Sequence, residues 1–177
     1  MSRKILPFAS FALLSVLTNG SAALAQVYGA ATVYNPYTAT TTVKAADYNP
    51  YTGAGAKATT VYNPYTGTRA AEETTHNVYT GTTTAKATAY NPVTGNAVHE
   101  GTAYNPYTGA HAATETTHNG LTGTTDQRSA AYNPMTGASA HSQTAVNPYT
   151  GNAVHAQEYH NPMTGTTAVH ATTVRRK

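Results

Sequence analysis

Histidines and carboxylates are the side chains here that could hold a metal or move a proton. The 177-residue chain carries eight His and seven Asp or Glu. His141 and His155 stand one 14-residue step apart, and His170 falls near the same point of the next step. In a fold that stacks 14-residue coils, these imidazoles become neighbours, a set suited to Zn, Cu or Ni. The competing reading is an exposed polar column at a corner that elsewhere carries Lys, Ala or Val. Cys is absent, so no four-ligand structural zinc spacing exists. His141, His155 and His170 are thus weak metal candidates, and we expect no metal and no cofactor. Catalysis needs a nucleophile, a base and a third group that orients the base in a pocket. No segment carries a Ser-His-Asp or paired-carboxylate set that its sibling segments lack, so an enzyme is not expected.

What must position all these groups is a tandem repeat. Tyr-Asn-Pro-Tyr-Thr-Gly, first complete at Tyr48–Gly53, returns every 14 residues, and its Asn recurs without insertion or deletion from Asn35 to Asn161. A fixed period of this kind marks a repeat architecture. The motif reads as a turn. The residue before Pro is driven to extended geometry, so Asn49 and Asn105 end strands. Their side chains can accept a bond from the backbone two residues on, while Pro50 and Pro106 pre-set φ. Gly53 and Gly109 can take positive φ in a loop that closes with a bulge. Thr52 and Thr108 belong to a position that is Thr in all copies. Val78 and Gly120 replace Pro, and Ala39 replaces Gly.

Residues 1–25 read as a secretory signal: Arg3 and Lys4, the apolar stretch Ile5–Leu17, then the small-x-small site Ala23-Leu24-Ala25. Residues 26–34 form an N-terminal edge segment, 35–174 the ten repeats and 175–177 a basic tail. We expect a secreted or cell-surface protein, with the periplasm as another destination. No later stretch is long and apolar enough for a transmembrane helix. The net charge of +3 overstates the basicity of the body. Between leader and tail only Lys44, Lys57, Arg69, Lys86 and Arg128 are basic, against seven acids. That balance excludes a nucleic-acid face.

Past the leader there is no Ile, no Phe and one Leu, Leu121. Scarce aliphatics argue for disorder; low charge with abundant Thr, Tyr and Val argues for strands. The expected class is all-β. A β-solenoid with one coil per unit is preferred, because Ala, Thr and Val would fill its thin interior and Asn and Tyr would stack in ladders. The charged residues midway between turns, such as Lys44 and Glu72, then read as a second corner. The alternative is an antiparallel β-meander in which each unit is a hairpin of two short strands, disfavoured because apolar residues are too few to cover either face; partial disorder is a third outcome. His76, His118 and His160 recur at 42 residues, which fits duplication of a three-unit segment or, less simply, a triangular coil.

Two Tyr columns flank the turns. Tyr48, Tyr62 and Tyr104 precede Asn, while Tyr51, Tyr65 and Tyr107 follow Pro. They form a possible ligand face for glycans, with ring faces and hydroxyl handles; the plainer reading is rings stacked on rings. Runs such as Ala103–Gly109 resemble the Tyr-Asn-Pro-x-Thr-Gly tandem repeats of uncharacterised secreted bacterial proteins. That resemblance implies an exported bacterial repeat protein and assigns no functional residue. The expected function is an extracellular structural or adhesive protein of a surface, matrix or filament, which self-associates and touches glycans or cell surfaces. A polysaccharide-binding module and a disordered repetitive linker are the alternatives.

Overall fold

The computed structural model describes residues 26–175; the expected leader and the last two residues of the basic tail lie outside them. The described residues form eleven strands: β1 (Gln26–Asn35), β2 (Thr40–Asn49), β3 (Ala54–Tyr62), β4 (Arg69–Asn77), β5 (Thr83–Asn91), β6 (Asn96–Tyr104), β7 (His111–His118), β8 (Thr125–Asn133), β9 (Ala138–Asn147), β10 (Asn152–Asn161) and β11 (Thr166–Val174). They lie side by side in sequence order in one unclosed sheet, and every neighbouring pair is antiparallel.

The all-β class holds, and the preferred solenoid does not: the fold is the antiparallel meander. Each 14-residue unit supplies one strand and one turn, not the hairpin of two short strands expected of it, so a hairpin takes two units. The supposed second corner is mid-strand, with Lys44 opposite Thr59 and Glu72 opposite Ala87. The physical reason lies in burial. The objection to a meander assumed that one face must be covered, but this sheet has almost no interior. Its buried apolar residues are Ala39, Val43, Ala45 and Ala58, and among the described residues no side chain is fully buried. A strand with water on both faces accepts a charge at its centre without a desolvation penalty. Cohesion comes from backbone ladders and cross-strand pairs.

The register repeats with the units. Thr41 faces both Tyr34 and Tyr62, and His111 faces both Tyr104 and Tyr132. The register shifts once, between Val27 and Gly29. At about 4.8 Å per strand, the sheet is on the order of 50 Å wide. Because the chain reverses at every turn, successive turns fall on opposite rims of the sheet. Side chains alternate faces along a strand, and the register swaps the face of each repeat position from one unit to the next. The true structural repeat is therefore 28 residues. This rules out the triangular coil and separates residues that a solenoid would have stacked.

Candidate functional site

Each rim is a row of five turns built by the same local chemistry. In all ten turns the Asn Oδ1 accepts the N–H two residues on, at 2.9–3.1 Å, as from Tyr51 to Asn49 and from Tyr107 to Asn105. The N–H three residues on usually shares that oxygen, as Thr52 and Thr108 do at 3.3 Å. The described turn glycines have φ between +61° and +68°, and Ala39 sits at +51°. The invariant Thr has a role that strand propensity did not reveal. Its Oγ1 accepts the N–H two residues later, as from Ala110 to Thr108 at 3.2 Å and from Asn152 to Thr150 at 3.3 Å. This side-chain turn closes the loop into the next strand.

Neighbouring turns on a rim also hold one another. Asn63 Nδ2 donates to the Thr38 carbonyl at 3.1 Å, and Asn77 Nδ2 to that of Thr52 at 3.2 Å. The two units without Pro use their freed N–H in the same seam. Val78 donates to the Gly53 carbonyl at 2.8 Å, and Gly120 to Asn96 Oδ1 at 3.0 Å. Tyr79 adds its hydroxyl to the Pro50 carbonyl at 3.1 Å.

The turn tips carry the large side chains. One rim presents Tyr37, Tyr65, Val93, Leu121 and Tyr149; the other presents Tyr51, Tyr79, Tyr107, Met135 and Met163. All ten are exposed, from 64% at Tyr79 to 97% at Tyr37. Tips on one rim are two strands apart, or about 9.6 Å. Of the candidate ligand face, Tyr51, Tyr65 and Tyr107 are such tips. Tyr48, Tyr62 and Tyr104 are strand residues, with Tyr62 on the opposite face from the other two. Two of the strand rings meet a different kind of partner across the strands. Arg69 lies over the Tyr62 ring at 5.4 Å, and His111 tilts against Tyr132 at 5.4 Å between centroids.

The three metal candidates do not converge. His141 faces Glu158 across the strands, on one side of the sheet. His155 and His170 are on the other, bonded to Thr144 at 2.7 Å and Thr172 at 3.0 Å. Among the described residues no group of three metal-binding side chains forms. The 42-residue histidines each meet the Thr opposite on the next strand: His76 with Thr83, His118 with Thr125 and His160 with Thr167, at 2.9–3.0 Å. An open groove of about 680 Å³ runs over β6–β11 past Glu100, Glu115, Arg128, His141 and Glu158. Glu100 directly opposes Glu115, a like-charge pair, and Arg128 stands across from Glu115 on the other side. Arg128 bonds Asp126 at 2.8 Å, and that hydrogen bond, then its charge, raises the guanidinium pKa.

Comparison with protein-family models, curated proteins and solved structures finds no match for this chain. The groove and the tips are accordingly read from their own chemistry.

Proposed function

We propose that the chain is an exported structural or adhesive protein that uses its rims of exposed turn tips as contact surfaces. The observation that carries this reading is the placement of a large aromatic or apolar residue at every one of the ten tips. Exposed rows of such residues favour contact with another surface. The groove over β6–β11 is open along the sheet, a surface suited to contact with another surface. The leader-like residues 1–25 and the resemblance to secreted bacterial repeat proteins fit export.

One observation favours a polysaccharide as the second reading. Tyr51, Tyr79 and Tyr107 follow one another along a single rim at about 9.6 Å, and rings so spaced suit an extended sugar polymer. The test displays the chain on cells with Tyr51, Tyr79 and Tyr107 changed to Ser, beside a variant with Tyr37, Tyr65 and Tyr149 changed to Ser. Retained circular dichroism with lost attachment to surfaces or to a glycan array supports the reading. Unchanged attachment in both variants overturns it.

A further inference from the structure

Strands β1 and β11 are the outermost strands of the described sheet. An outermost strand offers a row of N–H and C=O groups that templates another strand, and natural sheets blunt it with charge, Pro or a covering element. β11 has neither charge nor Pro, and every residue from Thr166 to Val174 is exposed. β1 is also free of charge and Pro. By contrast, every inner strand except β9 carries at least one charged residue.

We propose that β11 of one molecule pairs antiparallel with β1 of a second, turned-over copy, so that sheets join end to end into a ribbon. This deepens the structural reading above by naming its partner. The orientation follows from strand number. With eleven strands, β1 and β11 run the same way, so a simply translated copy would present a parallel strand. Inside the sheet, each unit is related to the next by a half-turn about the axis across the strands plus one strand spacing. One more such step places a turned-over copy's β1 against β11. Extending the internal register sets Thr166 against Asn35, Ala168 against Val33 and His170 against Ala31 of the second copy.

A second observation at the rim points the same way. Within the sheet, turn glycines abut the second residue of the next turn on the rim, as Gly109 abuts Pro134 and Gly137 abuts Pro162. Gly165, in the last turn, has nothing within 4 Å of where its Cβ would stand. In the proposed join, the next turn on that rim is the second copy's first, and its Pro36 takes this place. Head-to-tail contacts of this kind do not close, so they build ribbons rather than dimers.

The chain has no Cys, so introduced thiols report single positions. Val33→Cys and Ala168→Cys are made in the full-length chain as the cell produces it, mixed in equal amounts and mildly oxidised. Opposed antiparallel residues lie within disulfide reach. The expected result is a mixed dimer far exceeding the crosslinks of either variant alone, and loss of ribbons by electron microscopy when Ala171→Pro is added with circular dichroism retained. Crosslinking of Ala168→Cys with itself would overturn the proposal in favour of a two-fold β11 contact. Absence of any crosslink at concentrations that saturate light scattering would also overturn it. Surface attachment that persists in either case leaves the adhesive reading standing and removes only this one.

Discussion

Gly109 lies so close to Pro134 that a Cβ on the glycine would stand 2.7 Å from the proline Cγ. Gly109 also has φ of +66°, so two demands meet at one position. Gly165 separates them, for it has nearly the same φ, +65°, and an open space in place of the proline. In dilute protein, where no second copy fills that space, Gly165→Ala is expected to cost only the left-handed backbone penalty, about 1 kcal/mol. Gly109→Ala adds displacement of Pro134, roughly 1–3 kcal/mol more on the scale of overpacked sites. Urea titration of both variants checks this, and equal losses would mean that the turn columns contribute nothing.

The two side-chain acceptors of the turn are separable in the same way. Asn105→Ala strips the partner from Tyr107 N–H and Thr108 N–H. A loss of about 1 kcal/mol is expected, with Asn105→Asp keeping most of the stability. Thr108→Val removes the acceptor for Ala110 N–H, and Thr108→Ser restores it. If Val and Ser at position 108 melt together, the invariant Thr is not acting through its hydroxyl.

The turn and the all-β class were legible because both are local. Asn-Pro and a Gly five residues into the unit state the backbone geometry whatever surrounds them. The choice between coil and meander was not local, since both have a 14-residue period and differ in whether a unit turns once or twice. Lys44 and Glu72 misled because a charge in mid-strand is costly only where a face is buried, and here both faces meet water. The same error stacked His141 on His155, which antiparallel reversal puts on opposite faces. The tips are legible in part: Tyr51, Tyr65 and Tyr107 stand out as aromatic, but Val93, Leu121, Met135 and Met163 occupy the same repeat position. Their shared size was a signal available without a structure.

Restoring the repeat consensus at Gly120 is expected to harm the protein. Pro occupies this position in most units, yet Gly120 N–H bonds Asn96 Oδ1. A Cβ there would also run into the Thr94 carbonyl oxygen and the Gly95 backbone. Gly120→Pro removes the donor and forces the contact. A destabilisation of about 2 kcal/mol or more is expected from the lost bond and the overpacking together. Gly120→Ala, which keeps the N–H, separates the two causes by thermal melting. A stabilised Gly120→Pro variant would show that the adjacent turns can shift apart freely.

The thinness of the sheet carries a thermodynamic signature. The heat-capacity change of unfolding rises with newly exposed apolar surface and falls with exposed polar surface. Among the described residues the buried apolar set is one Val and three Ala, while the ladders between neighbouring strands tie up the peptide groups of the inner strands. Unfolding should therefore expose little apolar area for each amide it releases. The heat-capacity change per residue is expected to be less than about half the ~12–15 cal/mol/K of ordinary domains. The urea dependence of stability should be shallow for the chain's length, because it scales with the surface exposed. Calorimetry on dilute protein bearing the Ala171→Pro block measures the isolated sheet. The unblocked chain at high concentration measures whatever end-to-end joining adds. A heat-capacity change in the ordinary range for the blocked form would mean that one face of the sheet is covered.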